Sequence, residues 1–346
     1  MSQKSKRIKE LFGYACTLTR EQGVGAMASR AAGFFKRRFL GKKARYLPSK
    51  ETLQAQRQDA ASQNFPTVSI LTPLFNTPEN FLRQYIESVI GQTAPNWQLV
   101  LVDASNADHA KVAEIVREYA ANEPRIVYAK IENQGISANT NAAAKLAAGP
   151  YLALADHDDM LAPHAVYCAG KLLAETDADF VYSDEALFEK SPERPKVGHF
   201  KPDYAPEYLM AVNYICHLAV FKKELFEAVG GERAACDGAQ DHDLFLRIID
   251  EMQRRDPAAK PLHIPQVLYY WRVHAASTSS GTGAKPYVVK AAQKAVADHL
   301  AATGRRGTVE EGKFPGTCHV NWQIDEPQPL VSILIPNKDH IDDLEK

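Results

Sequence analysis

The chain alternates between apolar runs and amphipathic stretches in a regular order that begins at Pro66. A short β-rich run (67–72, TVSILT) is followed by a helical pattern over 78–93. Further strands are predicted at 97–102, 125–131 and 151–155, and further helices at 108–121 and 136–148. Strands that alternate with helices of about 10–15 residues indicate βαβ units and an α/β fold with a mostly parallel sheet. Because ligands bind beyond the carboxyl ends of such strands, polar residues there are candidate site residues.

The second half of the chain is less regular, although it still contains apolar runs. Strands are predicted at 180–183, 218–221 and 267–273, and helices near Asp241 and over 286–303. A segment rich in Gly and Ser (277–283, STSSGTG) lies between the last of these strands and the last helix. Such a segment predicts a flexible loop that closes over a bound ligand.

One β-rich run occurs twice in the chain. The sequence PTVSILTP at 66–73 returns as PLVSILIP at 329–336. We interpret the second copy as the start of a second domain of the same kind, the alternative being chance likeness between two short runs. The predicted organisation is a basic helical arm (1–48), a polar linker (49–65), the α/β domain (66–284), a C-terminal helix with its connector (285–328) and the start of a second domain (329–346).

The charges are distributed unevenly, although the net charge is only −1. Residues 1–50 contain 13 Lys or Arg and two Glu, whereas the rest of the chain contains 28 Lys or Arg and 40 Asp or Glu. Aromatic residues accompany the cations Lys36, Arg37 and Arg38, a pattern typical of helices that lie on an anionic membrane surface. The alternative is a basic helix that packs on the body of the protein or on another subunit.

The remaining composition favours a soluble protein of the cytoplasm. Five cysteines without C-x-x-C spacing favour reduced thiols. The sequence contains neither an apolar run of about 20 residues, which a membrane span needs, nor a signal-peptide pattern. We therefore expect a cytoplasmic protein whose basic arm is the candidate contact with the inner face of the cytoplasmic membrane.

An acidic cluster, Asp156-His157-Asp158-Asp159, follows directly after the apolar run 151–155. Clustered carboxylates repel one another and are costly to desolvate, so the cluster favours a bound cation. Oxygen ligands suit Mg²⁺ or Mn²⁺, and such ions commonly combine one or two carboxylates with substrate phosphates. The alternative is a solvated turn that caps the next helix.

Two further groups of residues carry candidate chemistry. Asp241 and Asp243 lie where a helix begins, so they are candidates either for catalysis or for capping that helix and interacting with its dipole. In the segment 271–274 (WRVH), His274 is a candidate ligand for metal or diphosphate, and Arg272 is a candidate partner for phosphate. A single histidine beside a loop is more often structural, so that alternative stays open.

Other classes of nucleotide or metal site lack their patterns in this sequence. It contains no G-x-x-x-x-G-K-[ST] loop, and its first strand is not followed by G-x-G-x-x-G. The Cys and His residues do not have the spacing of a zinc site. We also expect no nucleic-acid partner.

Taken in order, these motifs resemble those of the family 2 glycosyltransferases, whose fold is called GT-A. The resemblance extends from about residue 67 to residue 280. Pro73, Phe75 and Asn76 are similar to the family's P-x-[YF]-N, which implies that they contact the nucleotide. Asp103 ends the second predicted strand, and the resemblance implies that it holds the nucleotide base.

A second part of the resemblance lies between the third strand and the acidic cluster. Asn133 and Gly135, followed by Asn141, look like the family's N-x-G…N segment, which implies further contacts with the donor. Thr140 departs from the family pattern, because an Arg often stands at this position.

The acidic motifs complete the resemblance. Asp156 and Asp158 look like the family's D-x-D, which implies that Asp158 holds the metal and that Asp156 contacts metal or ribose. Asp241 is similar to the general base of the family's [EQ]-D pair. Arg272 and His274 resemble the closing W-R-x-H, whose His approaches metal or diphosphate.

Three further features indicate a subgroup of this family: YSDE (182–185), FKPD (200–203) and the repeated domain start. These features resemble multi-domain bacterial transferases of O-antigen and other surface polysaccharides, including rhamnosyltransferase-like members. The implied reaction is an inverting transfer, with Mn²⁺ or Mg²⁺, from a UDP- or dTDP-sugar to a hydroxyl of a glycan or lipid-linked glycan.

Two alternatives to this reaction stay open. One is a catalytically silent domain that serves as a scaffold or binding module. The other is a nucleotidyltransferase, although the Gly-rich basic loop that usually follows the first strand in that class is absent here.

Overall fold

The computed structural model describes residues 46–274, 286–324, 327–328, 330–336 and 338. The predicted basic arm lies outside these residues except for 46–48, and the predicted flexible loop 277–283 lies outside them completely. The membrane contact of the arm and the closure of the loop therefore stay predictions. No helix in the described ranges is long and apolar enough to cross a membrane.

Strands and helices alternate up to β4, as the sequence pattern predicts. The helices are α1 (Lys50–Ser62), α2 (Glu79–Ile90), α3 (Lys111–Ala120), α4 (Ile136–Leu146), α5 (Ala165–Thr176), α6 (Pro206–Ala211), α7 (Lys223–Ala228), α8 (Gln240–Arg255) and α9 (Pro286–Ala302). The strands are β1 (Val68–Leu74), β2 (Trp97–Asp103), β3 (Ile126–Lys130), β4 (Tyr151–Leu154), β5 (Met160–Leu161), β6 (Phe180–Phe188), β7 (Val197–His199), β8 (Ala219–Lys222), β9 (Leu262–Arg272), β10 (Gly307–Glu311) and β11 (Cys318–Trp322).

Nine of the described strands form one sheet in the order β3-β2-β1-β4-β8-β6-β9-β5, with β7 paired to β6. β3, β2, β1 and β4 are parallel neighbours, and β6 is parallel to β9. β8 runs antiparallel between β4 and β6, and β5 and β7 are also reversed. Six of these nine strands thus point in one direction, which confirms the predicted mixed, mostly parallel sheet. β10 and β11 form a separate antiparallel pair.

Helices cover both faces of the sheet, because successive side chains of a strand point to opposite sides. In β1, Ile70 belongs to an apolar cluster that includes residues of α2, α3 and α5. The next residue, Leu71, belongs to a second cluster with residues of α4, α8 and α9. A strand that is buried on both faces is a nearly continuous apolar run, which explains why β1 and β2 were predictable from the sequence.

The structure differs from the sequence interpretation in residues 49–65. Most of this predicted linker forms helix α1, which is polar apart from a few residues and buries only Ala60. The hydroxyl of Tyr167 in α5 donates a hydrogen bond to Asp59 (2.7 Å), and the ring of Phe65 packs edge-on against Tyr167. The segment therefore packs against α5. Its polar sequence did not predict this packing, because only one face of the helix makes contact.

The described part of the second β-rich run, residues 330–336, forms no strand. Its large apolar side chains are between 63% and 97% exposed: Leu330, Val331, Ile333, Leu334 and Ile335. In β1 the corresponding run is buried between β2 and β4. The start of a second domain at this point stays a prediction.

Replacement of Phe65 by Ala tests whether α1 and its connection are part of the folded domain. Phe65 is 5% exposed and contacts Tyr167, so we expect Phe65→Ala to lower the free energy of unfolding by about 3 kcal/mol. Phe314→Ala is the control, since Phe314 is 67% exposed and its loss should cost less than about 0.5 kcal/mol. Urea unfolding measures both variants, and equal costs would contradict the packing of this segment.

Candidate active site

The loops after β1 and β2 are tied together at the carboxyl end of the parallel strands. The backbone N–H of Asn76 donates to Ser105 Oγ (2.9 Å), and that of Asn106 donates to Asn76 Oδ1 (3.0 Å). Asn76 has a φ of 50°, in the left-handed region that asparagine tolerates better than most residues. Phe75, beside it, is 43% exposed, and Pro73 lines a cavity that Asp156 also lines. Three residues of the predicted nucleotide contact are therefore assembled at the predicted edge of the sheet.

Asp103 at the end of β2 is almost completely buried. Its Oδ1 accepts a hydrogen bond from the backbone N–H of Ser105 (2.8 Å) and its Oδ2 accepts one from the hydroxyl of Tyr128 (3.0 Å). Lys130 Nζ lies 3.2 Å from Oδ2. Burial and the Asp103 charge raise the pKa of Tyr128 to about 12. These contacts join the ends of β2 and β3, and the contact of Asp103 with a nucleotide base stays a prediction.

The segment before α4 is organised by Asn133. Its Oδ1 accepts hydrogen bonds from the backbone N–H of Gly135 (3.1 Å) and from Asn139 Nδ2 (3.0 Å). Gly135 precedes the helix with a φ of 96°, a conformation that residues with a Cβ rarely adopt. Both predicted residues thus shape the turn that leads into α4.

The side chain of Asn141 contacts protein backbone. Its Nδ2 donates to the carbonyl of Glu232 (2.8 Å), and its Oδ1 accepts from the N–H of the same residue (2.9 Å). Asn141 is not among the residues that line the cavity containing Asp156 and Asp241. The predicted contact between Asn141 and the donor therefore has no support in these contacts, because both ends of its amide already hold Glu232.

The acidic turn after β4 is anchored by Asp159, which is fully buried. Its Oδ2 accepts a hydrogen bond from the hydroxyl of Tyr269 (2.8 Å), and its Oδ1 accepts one from the backbone N–H of Arg272 (2.6 Å). The Tyr269 hydroxyl also accepts from the backbone N–H of Asp156 (3.0 Å). Burial, followed by the charges of Asp156 and Asp158, raises the pKa of Asp159 well above its usual value. Asp159 thus connects the turn to β9.

Arg272 is also buried, at 2% exposure, and lies beneath this turn. Its Nε donates to the carbonyl of Asp158 (2.5 Å) and an Nη donates to Gln84 Oε1 (2.9 Å). The guanidinium lies over the rings of Phe81 and Phe188, at 4.3 and 4.5 Å from their centroids. The described contacts of Arg272 are with protein groups, so they support a role in holding the turn and not the predicted phosphate contact.

Asp156, Asp158 and His274 are the members of the acidic site that have side-chain atoms left for a ligand. One carboxylate oxygen from each of Asp156, Asp158 and Asp159 lies within 4.8 Å of the other two, but both oxygens of Asp159 accept hydrogen bonds from Tyr269 and Arg272. His274 Nε2 lies 2.7 Å from Asp158 Oδ2. Two carboxylates and a neighbouring imidazole fit a Mg²⁺ or Mn²⁺ ion that takes its other ligands from phosphate and water.

A cavity of about 210 Å³ joins the two acidic motifs. It is lined by Leu71, Pro73, Ile136, Thr140, Leu154, Ala155, Asp156, Cys216, His217, Glu232, Gly238, Gln240, Asp241 and Trp271. Asp156 and Asp241, which are distant in the sequence, therefore lie on the same cavity. This arrangement places a carboxylate at the start of α8 on the same cavity as the acidic turn after β4.

Asp241 is held by two hydrogen bonds at the start of α8. Asn213 Nδ2 donates to its Oδ2 (2.8 Å), and the backbone N–H of His242 donates to its Oδ1 (2.9 Å). A carboxylate near a helix N-terminus is also stabilised by the helix dipole. Asp241 is thus oriented towards the cavity as an ionisable group that can accept a proton.

Asp243 has a structural role, although it makes no capping hydrogen bond to α8. It is 1% exposed, and its carboxylate accepts hydrogen bonds from Arg233 Nε (3.0 Å) and Arg247 Nε (2.9 Å). Burial alone would raise the pKa of Asp243, but the two arginines lower it. The same arginine, Arg247, donates to the carbonyls of Val229 and Gly231, so Asp243 ties α8 to the loop before it.

The sequence interpretation missed three residues of this site: Asn213, His217 and Glu232. His217 lines the cavity, with its Nε2 3.8 Å from Asp156 Oδ2 and its ring stacked on Tyr269 (4.5 Å between centroids). None of the three belongs to a short motif with recognisable spacing. Only the fold shows that they approach Asp156 and Asp241.

Over residues 69–230 the chain matches the family model described as Glycosyl transferase family 2. It is 39% identical over 282 residues to an uncharacterised protein, y4gI, of Sinorhizobium fredii, which covers 81% of this chain and 30% of that protein. It is 32% identical over 294 residues to the O-antigen biosynthesis protein RfbC of Myxococcus xanthus, which covers 83% of this chain and 22% of that one. The chain thus spans less than a third of the length of these two relatives.

The fold is also similar to that of a solved structure, S. aureus TarS 1-349 in complex with UDP-GlcNAc. The TM-score is 0.54 at 15% sequence identity, covering 68% of this chain and 66% of that chain. This similarity confirms the predicted GT-A type of fold.

Two adjacent tyrosines of β9 test the anchoring of the acidic turn. Tyr269 and Tyr270 are both buried, but the Tyr269 hydroxyl makes two hydrogen bonds whereas the Tyr270 hydroxyl has no partner among the described residues. We expect Tyr269→Phe to lower the free energy of unfolding by roughly 1–3 kcal/mol and Tyr270→Phe to leave it unchanged or raise it slightly. Thermal and urea unfolding compare the two variants. A loss from Tyr270→Phe as large as that from Tyr269→Phe would contradict this role of Tyr269.

Proposed function

Because this chain carries a glycosyl transferase family 2 domain, we propose that it transfers a sugar from a nucleotide-diphospho-sugar to an acceptor hydroxyl with inversion. The observation that carries the proposal is the cavity that Asp156 and Asp241 share at the carboxyl end of the parallel strands. Asp156 is the carboxylate that would lie beside a bound diphosphate, and Asp241 is the one that would act as a base. A single displacement needs these two functions on opposite sides of the reacting carbon.

In this mechanism Asp241 is the general base. Its carboxylate takes the proton of the acceptor hydroxyl while that oxygen forms a bond to the anomeric carbon of the donor. The bond between the anomeric carbon and the diphosphate oxygen breaks, and the nucleoside diphosphate leaves with the electron pair. Asn213 holds one oxygen of Asp241 (2.8 Å), which keeps the carboxylate in a single orientation.

Asp158 and Asp156, with His274, are the residues that would hold Mn²⁺ or Mg²⁺. A bound ion would offset the negative charge that develops on the diphosphate. The turn that carries Asp156 and Asp158 is held in place by hydrogen bonds among Asp159, Tyr269, Arg272 and the carbonyl of Asp158.

We infer a UDP- or dTDP-sugar as donor and a glycan or lipid-linked glycan of a surface polysaccharide as acceptor. The solved TarS complex contains UDP-GlcNAc, which supports a uridine nucleotide, and the relative RfbC is named for O-antigen biosynthesis. The basic arm, residues 1–48, would bring the domain to an anionic membrane surface.

Replacement of Asp241 by Asn tests the assignment of the base. The amide cannot accept the proton, so we expect Asp241→Asn to reduce sugar transfer by at least about a hundredfold while nucleotide binding stays nearly unchanged. Release of nucleoside diphosphate measures transfer, and calorimetry measures binding. Asp177→Asn is the control, because Asp177 is an exposed residue at the end of α5 with a φ of 51°, which Asn tolerates.

The outcomes of this test also separate the alternatives. Transfer by Asp241→Asn above a few per cent of the wild-type rate would show that another group is the base. A wild-type protein that binds donor but releases no nucleotide with any acceptor tested would favour a silent binding domain. Release of pyrophosphate from a nucleoside triphosphate would indicate a nucleotidyltransferase.

Thermal stability in the presence of donors tests the metal. We expect Mn²⁺ together with one of UDP-, dTDP- or GDP-sugar to raise the melting temperature more than either does alone, because phosphate and carboxylates share the ion. Asp158→Asn should lose the increment that depends on Mn²⁺, whereas Asp177→Asn should keep it. Equal stabilisation by the donor in EDTA would contradict a metal in this site.

A further inference from the structure

Glu232 is an acidic residue of the cavity for which the proposed mechanism has no use. It lines the cavity together with Asp156 and Asp241, and it is 6% exposed. No sequence motif singled it out. Its position in the site therefore needs a separate explanation.

The backbone of Glu232 is held firmly. Asn141 makes hydrogen bonds to both its N–H and its carbonyl, and Arg247 donates to the carbonyl of Gly231 (2.7 Å). Gly231 has a φ of 74°, and a Cβ there would lie 2.4 Å from Asn141 Oδ1. The loop is thus packed so closely that Glu232 is presented at one fixed place on the cavity wall.

The carboxyl group of Glu232 is not fully satisfied by the protein, although the side chain of Thr140 interacts with it. Its Oε2 is shielded from solvent and has no hydrogen-bond partner among the described residues. A buried polar atom without a partner costs free energy, so proteins rarely keep one unless a bound molecule satisfies it. Burial, followed by the charge of Asp241, raises the pKa of Glu232 well above its usual value, which favours a protonated carboxyl that both donates and accepts hydrogen bonds.

The rest of the cavity limits what this ligand can be. Three of its lining residues carry carboxyl groups, and no Lys or Arg is among the residues that line it in the described structure. Thr140 adds a hydroxyl to the same wall. Such a surface favours hydroxyl or amino groups and disfavours an additional carboxylate.

Resting on the proposed transferase function, we propose that Glu232 is a specificity-determining residue for the sugar held between Asp156 and Asp241. It hydrogen-bonds a hydroxyl or amino group of that sugar, and the cavity selects sugars without a carboxylate. A site built to hydrogen-bond a substrate hydroxyl discriminates strongly against ligands that leave its polar group unpaired.

The test compares the affinity for a nucleotide with and without its sugar. Calorimetry in the presence of Mn²⁺ measures each affinity. UDP is compared with UDP-glucose and UDP-N-acetylglucosamine, and dTDP is compared with dTDP-glucose. We expect Glu232→Ala to reduce the gain in affinity that the sugar provides by roughly tenfold, with the affinity for UDP or dTDP unchanged. Glu232→Gln, which keeps the shape and the hydrogen-bonding capacity, should retain most of that gain.

Stability distinguishes this role from a structural one. Because Glu232 Oε2 has no partner, Glu232→Ala and Glu232→Gln should melt at or above the wild-type temperature, whereas loss of a structural contact would lower it. If Glu232→Ala nevertheless fails to fold, the proposal is overturned, since the residue is then structural.

A second pair of ligands tests the sugar class. UDP-glucose and UDP-glucuronate differ only in the group at C6, and we expect the wild-type protein to bind the glucuronate at least about tenfold more weakly. Equal affinities would overturn the selection against carboxylates.

The remaining outcomes separate this inference from the function on which it rests. Nucleotide binding without any gain from the sugar, or an equal gain in wild type and Glu232→Ala, would overturn the role of Glu232 and leave the transferase proposal standing. No binding of any nucleotide or nucleotide sugar to the wild-type protein would overturn the proposed function itself.

Discussion

The site depends on the pair of hydrogen bonds that the buried carboxylate of Asp159 accepts from Tyr269 and from the backbone of Arg272. A buried carboxylate is costly unless it is hydrogen-bonded, so this group specifies one arrangement of the turn after β4 against the end of β9. The same arrangement brings His274 to Asp158 and leaves Asp156 open to the cavity. The acidic cluster is thus divided by burial, with one aspartate that anchors the turn and two that remain available to a ligand.

The part of the cavity that contains Asp241 is built on a similar principle. Asp243 is buried with two arginines, and it connects α8 to the loop that contains Glu232. Because Asp241 lies two residues before this anchor, the position of the proposed base follows from the structural aspartate beside it. Each short motif therefore contains one buried, hydrogen-bonded carboxylate that stabilises the local structure. A neighbouring carboxylate of the same motif faces the cavity and is available to a ligand.

Much of the fold and part of the site could be predicted from the sequence. β1 and β2 are nearly continuous apolar runs because both of their faces are buried, and Asp103 and Asp156 follow such runs directly. The sequence did not predict helix α1 within residues 49–65, since a helix that buries little more than Ala60 has no clear apolar face. Asn141 and Arg272 were predicted to contact the donor on the basis of motif, whereas their described partners are protein groups.

The sequence by itself determined the order of strands and helices from β1 to β4, the parallel half of the sheet, and the two acidic motifs at candidate ligand positions. These features are local, because apolar periodicity and the ends of strands depend on residues that are close together in the sequence. Only the tertiary structure decided which aspartate of each motif anchors the local structure and which one faces the cavity. It also decided that Glu232 and Asp241 line the same cavity. The partners that decide these roles are distant in the chain, 113 residues apart for Asp159 and Arg272 and 91 for Asn141 and Glu232, and no local pattern specifies such pairs.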